Sequence, residues 1–190
     1  MVIPELFAHI SILWAGSGLP RGAATTFGVA NVTDQTAAQV ASDVADAWTA
    51  STLMGNLSSL IQTTTVRVKL GPNNDGPFTD GTMSIFGGAA TTVASPQVAY
   101  LCKKTTGFGG RRSRGRFFLP GVLEANVDAA GVVTSGVVSA INTDLAALLA
   151  ELSSRDVPMV LLHDDPGVPY AVTSLVCDGR VATQRRRLRG

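Results

Sequence analysis

The sequence predicts an α+β fold: two β-β-α-β-β pseudo-repeats that form a mostly antiparallel sheet carrying two amphipathic helices. Three observations predict it. Two stretches space their apolar residues at helical intervals. Most other apolar stretches are short and bounded by turn residues, as strands are. The two kinds also follow the same order in each half: strand, strand, helix, strand, strand. A doubly wound fold would instead alternate strands one for one with helices.

The first two strands are Phe7–Ala15 and Ala24–Val32, flanking a Gly-rich turn, GSGLPRG, at 16–22. The first helix runs from about Thr36 to Ser58. Val40, Val44 and Trp48 recur at i, i+4 and i+8, with Ala37, Ala41 and Ala45 beside them. Thr33 or Asp34 can cap it by accepting a bond from an orphan backbone N–H, and Gly55 interrupts or ends it. Thr64–Leu70 (TTVRVKL) alternates with the period of a half-buried strand. Gly81–Gly87 follows a polar turn, GPNNDG, at 71–76.

In the second half, Gln97–Lys103 and Gly115–Leu119 are the first two strands. The second helix spans about Ser135 to Leu152 behind Thr134 as a cap. Val137, Val138, Ile141, Leu145, Leu148, Leu149 and Leu152 make its apolar stripe. Pro158–His163 and Tyr170–Asp178 follow. Asp178-Gly179 signals a tight turn, with Arg180–Arg186 as a last strand candidate. We expect one structural domain over residues 1–190, with pseudo-repeats at 1–95 and 96–190, a flexible basic loop at 104–115 and a basic tail at 185–190.

Composition bears on partners. Apolar residues are 45% of the chain, enough to bury a core, whereas charged residues are only 15%; about 25% is usual for a soluble domain. Burying surface against copies of itself is one way for so sparsely charged a chain to remain in solution. The net charge is +1, but residues 1–95 carry −3 and residues 96–190 carry +4. No run approaches the roughly 18–20 uninterrupted apolar residues of a membrane span. The start, MVIPE, lacks the basic region of a signal peptide, so the protein is expected to stay where it is made unless it is packaged.

Motifs for catalysis are weak. The turn at 16–22 would need its third glycine at position 21, which is Arg21, and Pro20 removes an N–H that a phosphate cradle needs. His163 beside Asp164 and Asp165 offers a base or hard-metal set on paper, but the DDPG that begins there is turn chemistry. No recognised hydrolase or zinc motif occurs. We therefore expect no enzyme activity, catalytic residue, metal or cofactor. Cys102 and Cys177 are the two cysteines, each in a strand-like run. They are expected to be buried thiols, with a single bridge left open.

The basic runs are the strongest chemical signal. The first contains Lys103, Lys104, Arg111, Arg112, Arg114 and Arg116, interleaved with glycines and Phe108. The second is Arg185, Arg186, Arg187 and Arg189. Together they hold ten of the fifteen basic residues. Glycine admits close backbone approach, arginine forks bind phosphate oxygens bidentately, and Phe108 could stack on an unpaired base. The same residues equally suit acidic surfaces of neighbouring subunits, or a solvated loop and tail.

The block GRRSRGRFFLPG at 110–121, the amphipathic helix after it, AVTSLVCD at 171–178 and VATQRRR at 181–187 together resemble structural proteins of phages and phage-like environmental viruses. Those carry a similar R-G-R-aromatic-x-P-G segment and close with a T-Q-R-R-R-like run. The resemblance covers residues 97–189. It implies a repeated subunit of a capsid shell or of the head–tail region, made in the host cytoplasm and ending in the virion. With the composition and the basic runs, the expected partners are copies of itself, other virion proteins and genomic RNA or DNA, with no membrane. A non-viral nucleic-acid-binding module, a head–tail connector or a tail subunit are the alternatives.

Overall fold

The computed structural model describes residues 7–15, 24–51, 63–71, 81–84, 97–106, 115–161 and 170–181. It is a mixed α+β fold: among the described residues there are eight strands in one sheet and two long helices. The strands are β1 (Phe7–Ala15), β2 (Ala24–Ala30), β3 (Thr63–Leu70), β4 (Gly81–Ser84), β5 (Gln97–Thr106), β6 (Gly115–Leu123), β7 (Met159–Leu161) and β8 (Tyr170–Val181). The helices are α1 (Ala37–Ala50) and α2 (Ser135–Ser154), with a short 3-10 turn at Glu124–Asn126.

Every pairing is antiparallel, in the order β4-β3-β1-β2-β7-β8-β5-β6. The order of elements along the chain repeats across the two halves, but the order in the sheet does not. In the first half β1 pairs with β2 and β3. In the second half β5, the counterpart of β1, pairs with β6 and β8, and β7 bonds instead to β2 and so joins the halves. The sheet also curls back on itself. Thr25 Oγ1 of β2 donates to the Phe118 carbonyl of β6 at 2.5 Å, and the Phe27 and Phe117 rings lie 6.3 Å apart.

The core follows from alternation. Ala8, Ile10 and Ile12 of β1 and Val66 and Val68 of β3 are fully buried on one face. Against them α1 packs Val40, Ala41, Val44 and Trp48, the residues whose spacing predicts it; Trp48 stacks on Phe27 at 5.9 Å. The stripe of α2 buries Ile141, Leu145, Leu148 and Leu152, with Val137, Val138 and Leu149 partly covered. It packs on β8 and β7 and touches α1. Among the described residues, α2 is the one helix long and apolar enough to cross a membrane by length and composition. Its buried stripe faces the sheet and α1.

Local chemistry corrects two expectations. Thr36, not Thr33 or Asp34, caps α1: its hydroxyl accepts from Gln39 N–H, and Gln39 Oε1 accepts from Thr36 N–H. Asp34 sits upstream at φ 55, inside a loop that Asn31 closes by bonding both the N–H and the carbonyl of Gln35. Asp178-Gly179 makes no hairpin turn. It lies within β8, which runs on to Val181, at an irregularity in the β5–β8 register. The positive φ of 81° at Gly179 produces a bulge, and the strand continues past it. Thr134 stands at the N-cap of α2 without a side-chain capping bond. The expected continuations of α1 to Ser58, of β4 to Gly87 and of the last strand to Arg186 lie outside the described residues.

Candidate functional site

The first basic run begins on β5 and ends on β6, which pair antiparallel. Lys103 and Lys104 lie near the end of β5 and Arg116 at the start of β6. The register sets Lys103 opposite Arg116 and Lys104 opposite Gly115. Phe108, Arg111, Arg112 and Arg114 fall in the intervening segment, and Arg185, Arg186, Arg187 and Arg189 follow β8. All eight lie outside the described residues, as do His163, Asp164 and Asp165. The structure thus brings Lys103 and Arg116 to adjoining positions that the sequence separates by twelve residues. Like charges directly opposed across strands are unfavourable unless an anion lies between them.

The same sheet face carries apolar side chains in the open. Val176 of β8 is opposite Lys103 and is 42% exposed; Phe118, two residues beyond Arg116, is 45% exposed. Alternation sends the intervening Phe117 and Cys177 inward, where both are buried. By register, Phe118 and Val176 share a sheet face with positions 103 and 116. Arg180 on β8 is also exposed, with Asp178 at 3.5 Å.

A groove of mixed character lies at the start of α2, lined in part by Asp128, Val132, Val138, Ser139, Asn142 and Asp178. Two of its polar side chains, Asp128 and Asn142, are engaged in holding the fold. The Asp128 carboxylate accepts from Ala130 N–H and Val132 N–H, both at 2.9 Å, closing the turn before α2. Asn142 reaches from α2 to β8, where its Nδ2 donates to the Cys177 carbonyl at 3.2 Å and its Oδ1 accepts from Cys177 N–H at 2.7 Å. Among the described residues no group of three potential metal ligands occurs.

Two further features escaped sequence reasoning. His9 and Lys69 are opposed in the β1–β3 register, and their Nε2 and Nζ atoms are buried without hydrogen-bond partners. Burial, and then the Lys69 charge, hold the His9 imidazole below its ordinary pKa; a backbone hydrogen bond with Gly71 acts in the opposite sense. Cys102 and Cys177, buried thiols as expected, are directly opposed partners in the β5–β8 register. Burial pushes the Cys177 thiol up, Gly179 N–H bonding to its sulfur lowers it, and Asp178 raises it further. No local signal could reveal either pairing, because each depends on strand register between distant segments. Comparison with protein-family models, curated proteins and solved structures gave no match.

Proposed function

We propose that the chain is a virion structural protein, a self-assembling subunit of a phage-like particle whose basic hairpin and tail meet neighbouring copies or genomic phosphate. One observation carries this reading. The surface of β5, β6 and β8 presents opposed Lys103 and Arg116 between exposed Phe118 and Val176. Like charges at opposed register positions are unfavourable, and exposed apolar side chains remain hydrated. A partner that is partly apolar and partly anionic relieves both. The acidic first half of a second copy, at −3, has the required sign, and so does a phosphate backbone. The low charge content and the resemblance over residues 97–189 point the same way. The sheet edge at β4, paired on one side among the described residues, offers a further contact line.

The test is a double substitution, Phe118→Ser with Val176→Ser, in the full chain. Both side chains are exposed, so the fold should survive, as read by circular dichroism, while assembly seen by negative-stain microscopy should be lost. Assembly unchanged by the pair would overturn this assignment of the contact surface. The alternative of a separate nucleic-acid-binding module requires binding that falls steeply with salt, and a folded protein that forms no particles.

A further inference from the structure

We propose that Cys102 and Cys177 form an oxidisable dithiol site, which a peroxide converts to a disulfide that locks β5 to β8. The inference is independent of the virion reading. They are the chain's two cysteines, far apart in sequence, and the register sets them directly opposite each other. Directly opposed residues share a face of the sheet, and both side chains are buried on it, at 0% and 1% exposure.

The backbone decides whether a bridge fits. In an antiparallel pair, opposed residues alternate between hydrogen-bonded positions and non-hydrogen-bonded ones. The N–H and carbonyl of Cys177 both bond Asn142, so both point away from β5. Towards β5, Cys177 therefore occupies a non-hydrogen-bonded position. Opposed Cα atoms in such a pair approach to about 4.5 Å, with the side chains closer than in the alternative pair. A disulfide accepts Cα separations of roughly 4.4–6.8 Å. The bridge can close with little movement of either strand, and the bulge beside Cys102 lends the pair some slack.

The chemistry balances with hydrogen peroxide as oxidant. One thiol ionises and attacks a peroxide oxygen, giving a sulfenic acid and one water. The second thiolate attacks that sulfur, forms the S–S bond and releases a second water, so two thiols and one peroxide give one disulfide and two waters. The burial that keeps the site dry also keeps out large oxidants and holds Cys177 protonated, so reaction is slow at neutral pH and faster in mild alkali. The closed loop spans about 75 residues and contains β6, α2 and β7, so the bridge restrains the unfolded chain across most of the second half.

The experiment treats the full chain, purified under reducing conditions, with hydrogen peroxide and then reads intact mass, free thiols after denaturation and a non-reducing peptide map. The expected result is no free thiol and one peptide pair joining Cys102 to Cys177, about 2 Da lighter than the two reduced peptides apart from any oxygen on methionine. The urea midpoint should rise and return on reduction. Cys102→Ser should show no such loss and gain one or more oxygens, about 16 Da each, at Cys177. If the peptide map of the unsubstituted chain places added oxygens on Cys102 or Cys177 instead, shows both thiols kept or links separate copies through these cysteines, the proposal is overturned. The peptide map decides this even if the serine variant fails to fold.

Discussion

Asn142 of α2 binds Cys177 of β8 as a neighbouring strand would, donating to its carbonyl at 3.2 Å and accepting from its N–H at 2.7 Å. The β7–β8 ladder covers only Tyr170 and Ala171 on that side of β8, and the amide serves Cys177 in its place. One side chain thus satisfies two backbone groups and fixes α2 against the sheet, which sets the height of the helix over β8 and the direction in which Cys177 faces.

Asn142→Leu should therefore leave the Cys177 N–H and carbonyl without these partners. The loss expected for orphaned buried polar groups is about 1–3 kcal/mol. Urea denaturation should show the midpoint falling with an unchanged slope. A midpoint within error of the parent would mean that the clamp contributes nothing.

Gly179→Ala should destabilise the chain by about 1–3 kcal/mol. Gly179 has φ 81, and an added Cβ would lie 3.2 Å from Val132 Cγ1 and 3.3 Å from Val138 Cγ2. Backbone strain and crowding act together there. Gly136→Ala is the control: it lies within α2, its Cβ would meet nothing within 4 Å, and alanine favours helix, so that variant should be as stable as the parent or more so. Thermal unfolding of the two variants checks the contrast.

Acidification should destabilise the fold through His9. Its folded pKa is lowered, so above the unfolded value of 6.5 the imidazole is neutral in both states and costs nothing. Below that value the unfolded chain takes up a proton that the folded chain resists, and stability falls as pH drops towards the folded pKa. His9→Gln removes this proton uptake. Urea midpoints measured on either side of pH 6.5 should therefore drop further in the parent than in the variant; equal drops would contradict the assignment.

Much of the fold was legible because its signals are local. The alternation in TTVRVKL gives β3, and the stripe from Val137 to Leu152 gives α2 nearly to its ends. Thr36 was missed as the cap because Thr33 and Asp34 carry equally suitable side chains, and only the Asn31–Gln35 loop decides among them. Asp178-Gly179 misled because a glycine at positive φ serves a bulge as well as a turn, and the difference lies in the approach of Val132 and Val138 from elsewhere in the chain. For the candidate site, the sequence supplied Lys103 and Arg116 but not their opposition. The exposure of Phe118 and Val176 was not legible either, since alternation within an apolar run does not say which face meets water. Strand register, on which the cysteine pair and the His9–Lys69 pair depend, is set by partners remote in sequence.

The central claim is that the surface bearing Lys103, Arg116, Phe118 and Val176 is covered by assembly. Sedimentation velocity of the full, nucleic-acid-free chain in physiological salt tests it most directly. The account predicts a large species of many copies that dissociates as the salt concentration rises. A monodisperse monomer across the accessible concentration range would contradict it.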